Sequence, residues 1–165
     1  TAIDSIRKLY PERRLLGVFQ PHLFTRTRDF ADEFAEVLST MDELILLPIY
    51  PAREAPIEGI SSAMLLERVR SVNNTMDACL MEKNELINFL KDKVEDTMVP
   101  MVILTVGAGD IDRLVPEIKT MLNSKKTNRP VYEQNDTYCF HFYRHYFYGC
   151  ALDCCSGVGI YDDAY

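Results

Sequence analysis

The sequence predicts an α/β fold: a Rossmann-like, mostly parallel sheet with helices on both faces. Three observations predict it. Short apolar runs recur at residues 14–19, 43–47 and 101–106, each as long as a buried strand. Between them, apolar residues are spaced three and four apart, the period of one helix face. Strands and helices that alternate in this way pair in parallel through right-handed crossovers.

The elements follow in order. Residues 1–9 read as a helix, with Ile3, Ile6 and Leu9 three apart. It stops at Tyr10-Pro11, because the residue before a proline disfavours helix. No N-cap run precedes Ile3 and the first residue is Thr, so we expect the sequence to begin inside a helix of a longer protein. Residues 14–19 form the first strand. Phe30, Phe34, Val37 and Leu38 line the next helix, with Thr25 or Thr27 as its cap and Asp29 in its first turn, where it suits the dipole. The second strand is 43–47. The stretch 49–59, which follows Pro48 and holds Pro51, Pro56 and Gly59, is a shaped loop. Ser61 or Ser62 starts a helix that turns Met64, Leu65 and Val69 inward. Residues 77–81 give a third strand, and 85–94 a helix with Leu86, Phe89, Leu90 and Lys93 in line. Residues 101–106, apolar except Thr105, are the fourth strand. Gly107-Ala108-Gly109 then turns into a helix from Asp110 or Ile111 to about Leu122, where Pro116 predicts a kink or a late start. This turn is no dinucleotide fingerprint, since it lacks the third glycine and the following acidic residue.

Composition bounds the function. A chain of 165 residues, 47% hydrophobic and 26% charged, is one domain with a real core. A formal net charge of −7 argues against nonspecific nucleic-acid binding, which needs a basic footprint. No apolar run approaches the length of a membrane span, and no signal-peptide pattern opens the chain, so the cytosol is the default expectation. The composition breaks after residue 123. Residues 125–130 resemble a linker, and beyond them lie Cys139, Cys150, Cys154, Cys155, His141 and His145 among many Tyr and Phe. His141 and His145, at i,i+4 with cysteines on both sides, admit a metal site. The absence of paired Cys-x-x-Cys knuckles and of any consistent period favours a segment foreign to the domain, and no metal is expected. We therefore place the domain at 1–123 and an atypical tail at 124–165.

The candidate site is the stretch Gln20-Pro21-His22-Leu23-Phe24-Thr25-Arg26-Thr27-Arg28-Asp29, between the first strand and its helix. In open α/β sheets ligands bind at the carboxyl ends of the strands. One His and two Arg gather there, and the planar fork of Arg can bond both oxygens of a carboxylate or phosphate. The plainer reading is a capped helix start with solvated arginines. Tyr50, Arg53 and Glu54 lie in a second loop at the same edge, where Arg53 and Glu54 can simply pair with each other. Gly107, Gly109 and Asp110 form a third loop. There the glycines permit close approach, and Asp110 either caps the last helix or faces a ligand.

Three stretches carry a resemblance, in order: Gln20-Pro21-His22 with Thr25-Arg26-Thr27-Arg28-Asp29; Leu47-Pro48-Ile49-Tyr50-Pro51-Ala52-Arg53-Glu54 with Pro56 and Gly59; and Gly107-Ala108-Gly109-Asp110-Ile111. Together they resemble the carboxyl-terminal domain of the Mur ligase family, in particular its members that join L-alanine to UDP-N-acetylmuramate in peptidoglycan biosynthesis. The resemblance covers about residues 1–123. Many members carry a basic residue after the histidine; here it is Leu23, so a cationic role at that position is absent or moved.

The resemblance implies a bacterial, cytoplasmic, ATP-dependent ligase. ATP activates the lactyl carboxylate of UDP-N-acetylmuramate as an acyl phosphate, which the amine of L-alanine then attacks. ATP and Mg2+ would be bound mainly by domains outside this chain, the central ATP-binding domain of the same protein being its partner. No Gly-x-x-x-x-Gly-Lys-Ser/Thr loop occurs in the sequence, so this fragment alone is expected to be inactive, with no catalytic residue of its own. Among substrate-binding residues the resemblance implies Arg26 as the pin for the alanine carboxylate and His22 beside it. Arg28, Tyr50, Arg53 and Asp110 complete the set, Arg28 being open to a bracing role through Asp29. Neither nucleic acid nor membrane is implied. Two alternatives stay open: another Mur-type or folylpolyglutamate-type ligase domain, and a non-catalytic α/β module that binds an anion.

Overall fold

The computed structural model describes residues 2–97, 99–126, 138–143 and 158–160. Helices and strands alternate as the spacing predicts. The strands are β1 (Arg14–Gln20), β2 (Glu43–Leu46), β3 (Asp77–Leu80), β4 (Met101–Gly107), β5 (Tyr138–Tyr143) and β6 (Val158–Ile160). The helices are α1 (Ala2–Leu9), α2 (Phe24–Asp29), α3 (Ala31–Leu38), α4 (Ser62–Val72), α5 (Lys83–Asp96) and α6 (Val115–Lys126), with a 3-10 turn at Asp110–Leu114 leading into α6. The strands form one sheet in the order β3-β2-β1-β4-β5-β6. The first five run parallel, and β6 is antiparallel to β5. From β1 the chain steps outward to β2 and β3, then returns to place β4 on the other side of β1. The order therefore reverses at β1, and its carboxyl end flanks the crevice where such sheets bind ligands.

Both faces of the sheet are covered, which is why its strands read as unbroken apolar runs rather than as alternation. Leu15 and Phe19 of β1 join one layer with Ile3 and Ile6 of α1, Leu38 of α3 and Leu65 of α4. Leu16 and Val18 point the other way, toward Leu86 and Leu90 of α5 and Ile118 and Leu122 of α6. Each such fully buried side chain stabilises the fold by about 1.5–3 kcal/mol relative to exposure.

The amino edge is tied by charge. Asp42 Oδ2 accepts from Arg7 Nη1 at 2.7 Å and from the Leu15 N–H at 2.6 Å, which fastens α1 to the sheet. Glu43, almost fully buried, lies 2.5 Å from Lys93 Nζ and, as an ion pair without hydrogen-bond geometry, 2.9 Å from Arg14 Nη2.

Three details differ from the sequence expectation. The helix expected to run to Leu38 breaks at Phe30, which leaves the helical region at φ −120°, ψ 22°. The two threonines do not cap it: α2 follows Leu23, and no side chain of its own stretch caps it. Thr27 instead donates its hydroxyl to the Leu23 carbonyl at 2.8 Å. Third, α5 begins at Lys83, earlier than residue 85. Beyond residue 123, β5 pairs with β4 from Val102↔Tyr138 to Gly107↔Tyr143. Two expectations hold. Ser61 caps α4 by accepting from the Met64 N–H. The last helix starts late, with Pro116 in its first turn, where its missing N–H costs no helical bond. The metal reading of the tail needs His145, Cys150, Cys154 and Cys155, which lie outside the described residues. Among the described residues, no three His, Cys, Asp or Glu side chains are grouped to hold a metal ion, and no helix is long and apolar enough to cross a membrane.

Candidate functional site

β1 and β4 end side by side at Gln20↔Gly107. The loops that follow β1, β2 and β4 leave from this same carboxyl edge and converge on it. Gln20, the last residue of β1, is buried to 1% exposure, so its amide must find partners within the protein. Oε1 accepts from the Ile111 N–H at 3.0 Å, and Nε2 donates to Asp110 Oδ1 at 2.9 Å. Lys83 Nζ donates to both Asp110 oxygens, at 2.7 and 2.6 Å. Burial raises the Asp110 carboxyl, but the hydrogen bonds from Lys83 and Gln20 outweigh it and hold the group ionised, below its ordinary value. Gly109, not Asp110, occupies the cap position of the turn that follows, and it makes no side-chain cap bond.

Glycine is required in this third loop by space. A Cβ on Gly109 would lie 2.6 Å from Gln20 Oε1 and 2.6 Å from Tyr50 Cγ; one on Gly107 would lie 2.8 Å from Ile111 Cγ2. The close approach expected of the two glycines is therefore made onto Gln20, Ile111 and Tyr50.

The first and second loops are zipped together. The Leu23 N–H donates to the Tyr50 carbonyl at 2.9 Å and the Tyr50 N–H to the Pro21 carbonyl at 2.8 Å, a short parallel bridge between His22 and Tyr50. The two rings stack, with centroids 5.7 Å apart and planes 13° apart. His22 Nδ1 is buried and has no hydrogen-bond partner among the described residues. Burial lowers the imidazole pKa, the Arg26 cation lowers it further, and Glu54 opposes both; the net shift is downward and favours the neutral ring. Leu23 pays for the tight path with φ 69°, ψ 137°, a region that side chains other than glycine disfavour.

Glu54 reaches back across this junction. Its carboxylate accepts from the Thr25 N–H at 3.0 Å and from the Thr25 hydroxyl. The hydroxyl bond is the larger cause of a lowered Glu54 pKa, followed by the backbone N–H. The ion pair with Arg53 considered from sequence is thus replaced by a bond to another loop, and Arg53 is exposed. Arg28 pairs with Asp29 at 2.7 Å, both about half exposed.

The structure therefore gathers His22, Tyr50 and Asp110 at one edge, with partly buried Arg26 close enough to act electrostatically on His22. Arg28 is engaged by Asp29, and Arg53 is exposed. Sequence reasoning missed Lys83, the clip made by Gln20 and the bond between Glu54 and Thr25. Only Lys83 left a signal, a basic residue three positions beyond a strand's carboxyl end. The acidic groups here are already engaged, Glu54 by Thr25 and Asp110 by Lys83 and Gln20. The same frame carries the Arg26 guanidinium and the His22 imidazole, groups whose chemistry suits the carboxylate of a small molecule.

No family model matches the chain. It is 53% identical over 122 residues to the UDP-N-acetylmuramate–L-alanine ligase of Flavobacterium psychrophilum, covering 74% of this chain and 25% of that protein. It is 51% identical over 120 residues to the same-named protein of Flavobacterium johnsoniae (73% and 25%), and 44% identical over 123 residues to that of Porphyromonas gingivalis (74% and 25%). The chain spans about a quarter of the length of the curated relatives it matches.

Proposed function

From its similarity to UDP-N-acetylmuramate–L-alanine ligases over three quarters of its length, we propose that residues 1–123 are the carboxyl-terminal domain of such a ligase and hold the incoming amino acid. The full enzyme would join L-alanine to UDP-N-acetylmuramate in the bacterial cytoplasm, through an acyl phosphate formed from ATP. The sequence has no phosphate loop, and among the described residues no three metal-ligating side chains are grouped. In line with the resemblance, ATP and Mg2+ are assigned mainly to parts of the protein outside this chain, and the chemistry assigned here is positioning. Arg26 pins the carboxylate of L-alanine with its fork. His22, stacked on Tyr50, flanks the amino acid as a neutral ring. Holding a nucleophile in place in this way supplies a large share of the rate in such reactions.

One observation carries the reading. Three loops far apart in sequence, the same three that carry the resemblance, meet at a single sheet edge through Gln20, Tyr50 and Gly109. Steady-state kinetics of the full-length enzyme, with each of the three substrates varied in turn, tests it. Truncating one partner of a charge-assisted pair in a closed site typically costs on the order of 2–5 kcal/mol, about thirtyfold to several thousandfold. Arg26→Ala should show that loss mainly in the alanine term. Arg26→Lys should recover only part of it, because an ammonium has charge without the fork, and Arg28→Ala should cost less. An Arg26→Ala enzyme with normal alanine dependence and turnover would reduce the loop to a solvated helix start.

A further inference from the structure

We propose that Glu54 is a positioning residue for the amino-acid site: from the loop after β2 it clamps Thr25, and so fixes the turn that carries His22 and Arg26. The inference deepens the amino-acid-holding reading above and rests on it. The Thr27 bond to the Leu23 carbonyl ties the turn from His22 to Arg26 internally but does not fasten it to the rest of the fold. No side chain of its own stretch caps α2, and Leu23 is left at φ 69°, a conformation that relaxes unless its surroundings over-determine it. Two attachments from the second loop contribute to this. Tyr50 grips the start of the turn through the Pro21 carbonyl and the Leu23 N–H. Glu54 grips its end through the N–H and hydroxyl of Thr25, the residue next to Arg26.

The second loop is itself shaped for this. The Glu54 N–H donates to the Pro51 carbonyl at 2.9 Å, which closes a turn around Ala52 at φ 52°. Among the described residues, Leu23 and Ala52 are the non-glycine residues at positive φ. They lie in the two loops that the Glu54 carboxylate joins. Strain of this kind concentrates where a fold holds functional groups in place. The acidic charge also faces His22, whose protonation it favours against burial and Arg26.

The test is steady-state kinetics of full-length Glu54→Ala, Glu54→Gln, Thr25→Ala and Arg26→Ala enzymes, together with their thermal midpoints. Loss of a side-chain cap has an effect equivalent to about tenfold in an equilibrium, so Glu54→Ala should raise the KM for alanine by about that factor. The KM values for ATP and UDP-N-acetylmuramate should not move. Glu54→Gln should recover most of the loss, because its carbonyl can accept from the Thr25 N–H and its amide can donate to the hydroxyl. Thr25→Ala should raise the alanine KM by a smaller factor, and combining it with Glu54→Ala should add little. A lowered midpoint with an unmoved alanine KM in Glu54→Ala would make Glu54 merely structural and overturn the proposal. If Glu54→Ala does not fold, an unmoved alanine KM in Thr25→Ala overturns it equally. Arg26→Ala separates the two readings: if it moves the alanine KM and the Glu54 variants do not, only the clamp fails. If Arg26→Ala itself leaves that KM unmoved, the amino-acid reading fails and the clamp with it.

Discussion

A methyl group on residue 109 would sit 2.6 Å from both Gln20 Oε1 and Tyr50 Cγ, far inside van der Waals contact. Both neighbours are constrained, Gln20 by burial and two hydrogen bonds, Tyr50 by its backbone bridge and its stack on His22. Gly109→Ala must therefore push the third loop outward. Overpacking of this kind costs about 1–3 kcal/mol, which a lower urea midpoint at unchanged slope would report. The close approach of these glycines was legible in the sequence because a Gly-Ala-Gly turn after a buried strand has few other uses. The role of Gln20 was not. Nothing local distinguishes a glutamine that bonds a backbone N–H 91 residues away from one that faces water. Glu54 was hidden for the same reason: its partner is Thr25, whereas the adjacent Arg53 offered an obvious local match.

Among the elements, period located the helices and strands better than it located their breaks. Phe30 and Phe34 keep helical spacing, yet Phe30 is 42% exposed, its ring tilted against that of Phe34 with centroids 6.4 Å apart. The apolar spacing was thus partly supplied by a residue outside the core, and the break at Phe30 left no mark in the pattern. The join between α1 and the sheet makes a testable contrast. Burial raises the Asp42 carboxyl, but the hydrogen bonds from Arg7 and the Leu15 N–H prevail and lower it. A depressed carboxyl contributes stability above its unfolded pKa and loses it as pH falls through its folded pKa. Asp42→Asn should therefore lower stability near neutrality by about 1 kcal/mol, a modest figure because both partners are partly exposed. The difference from the parent chain should vanish in acid below that folded pKa. Urea titrations of both chains at the two pH values check this, and a difference that persists in acid would assign the effect to shape instead of charge.

For the molecule as a whole, the α/β class and the parallel order of β1 to β4 followed from alternation alone, and two apolar layers enclose the sheet. The fifth strand did not follow, because its sequence breaks from the pattern that precedes it and its pairing runs through the backbone. We expect the isolated chain to release no phosphate above background when incubated with ATP, UDP-N-acetylmuramate and L-alanine. Its sequence has no phosphate loop, and the role proposed for its residues is to hold the amino acid. Steady turnover by the pure 165-residue chain would sink that expectation.

The placement of β4 beside β1 has a consequence for the nascent chain. β1 is complete at Gln20, but its β4-side neighbour begins only at Met101. At roughly 5–20 residues per second, about 4–16 s of synthesis separate the two. During that interval Leu15, Leu16, Val18 and Phe19 sit on a strand with one open edge, the kind of surface that recruits other chains. The ribosome-bound chain thus exposes a strand edge that the finished sheet covers, and these core residues are ones a chaperone has reason to shield.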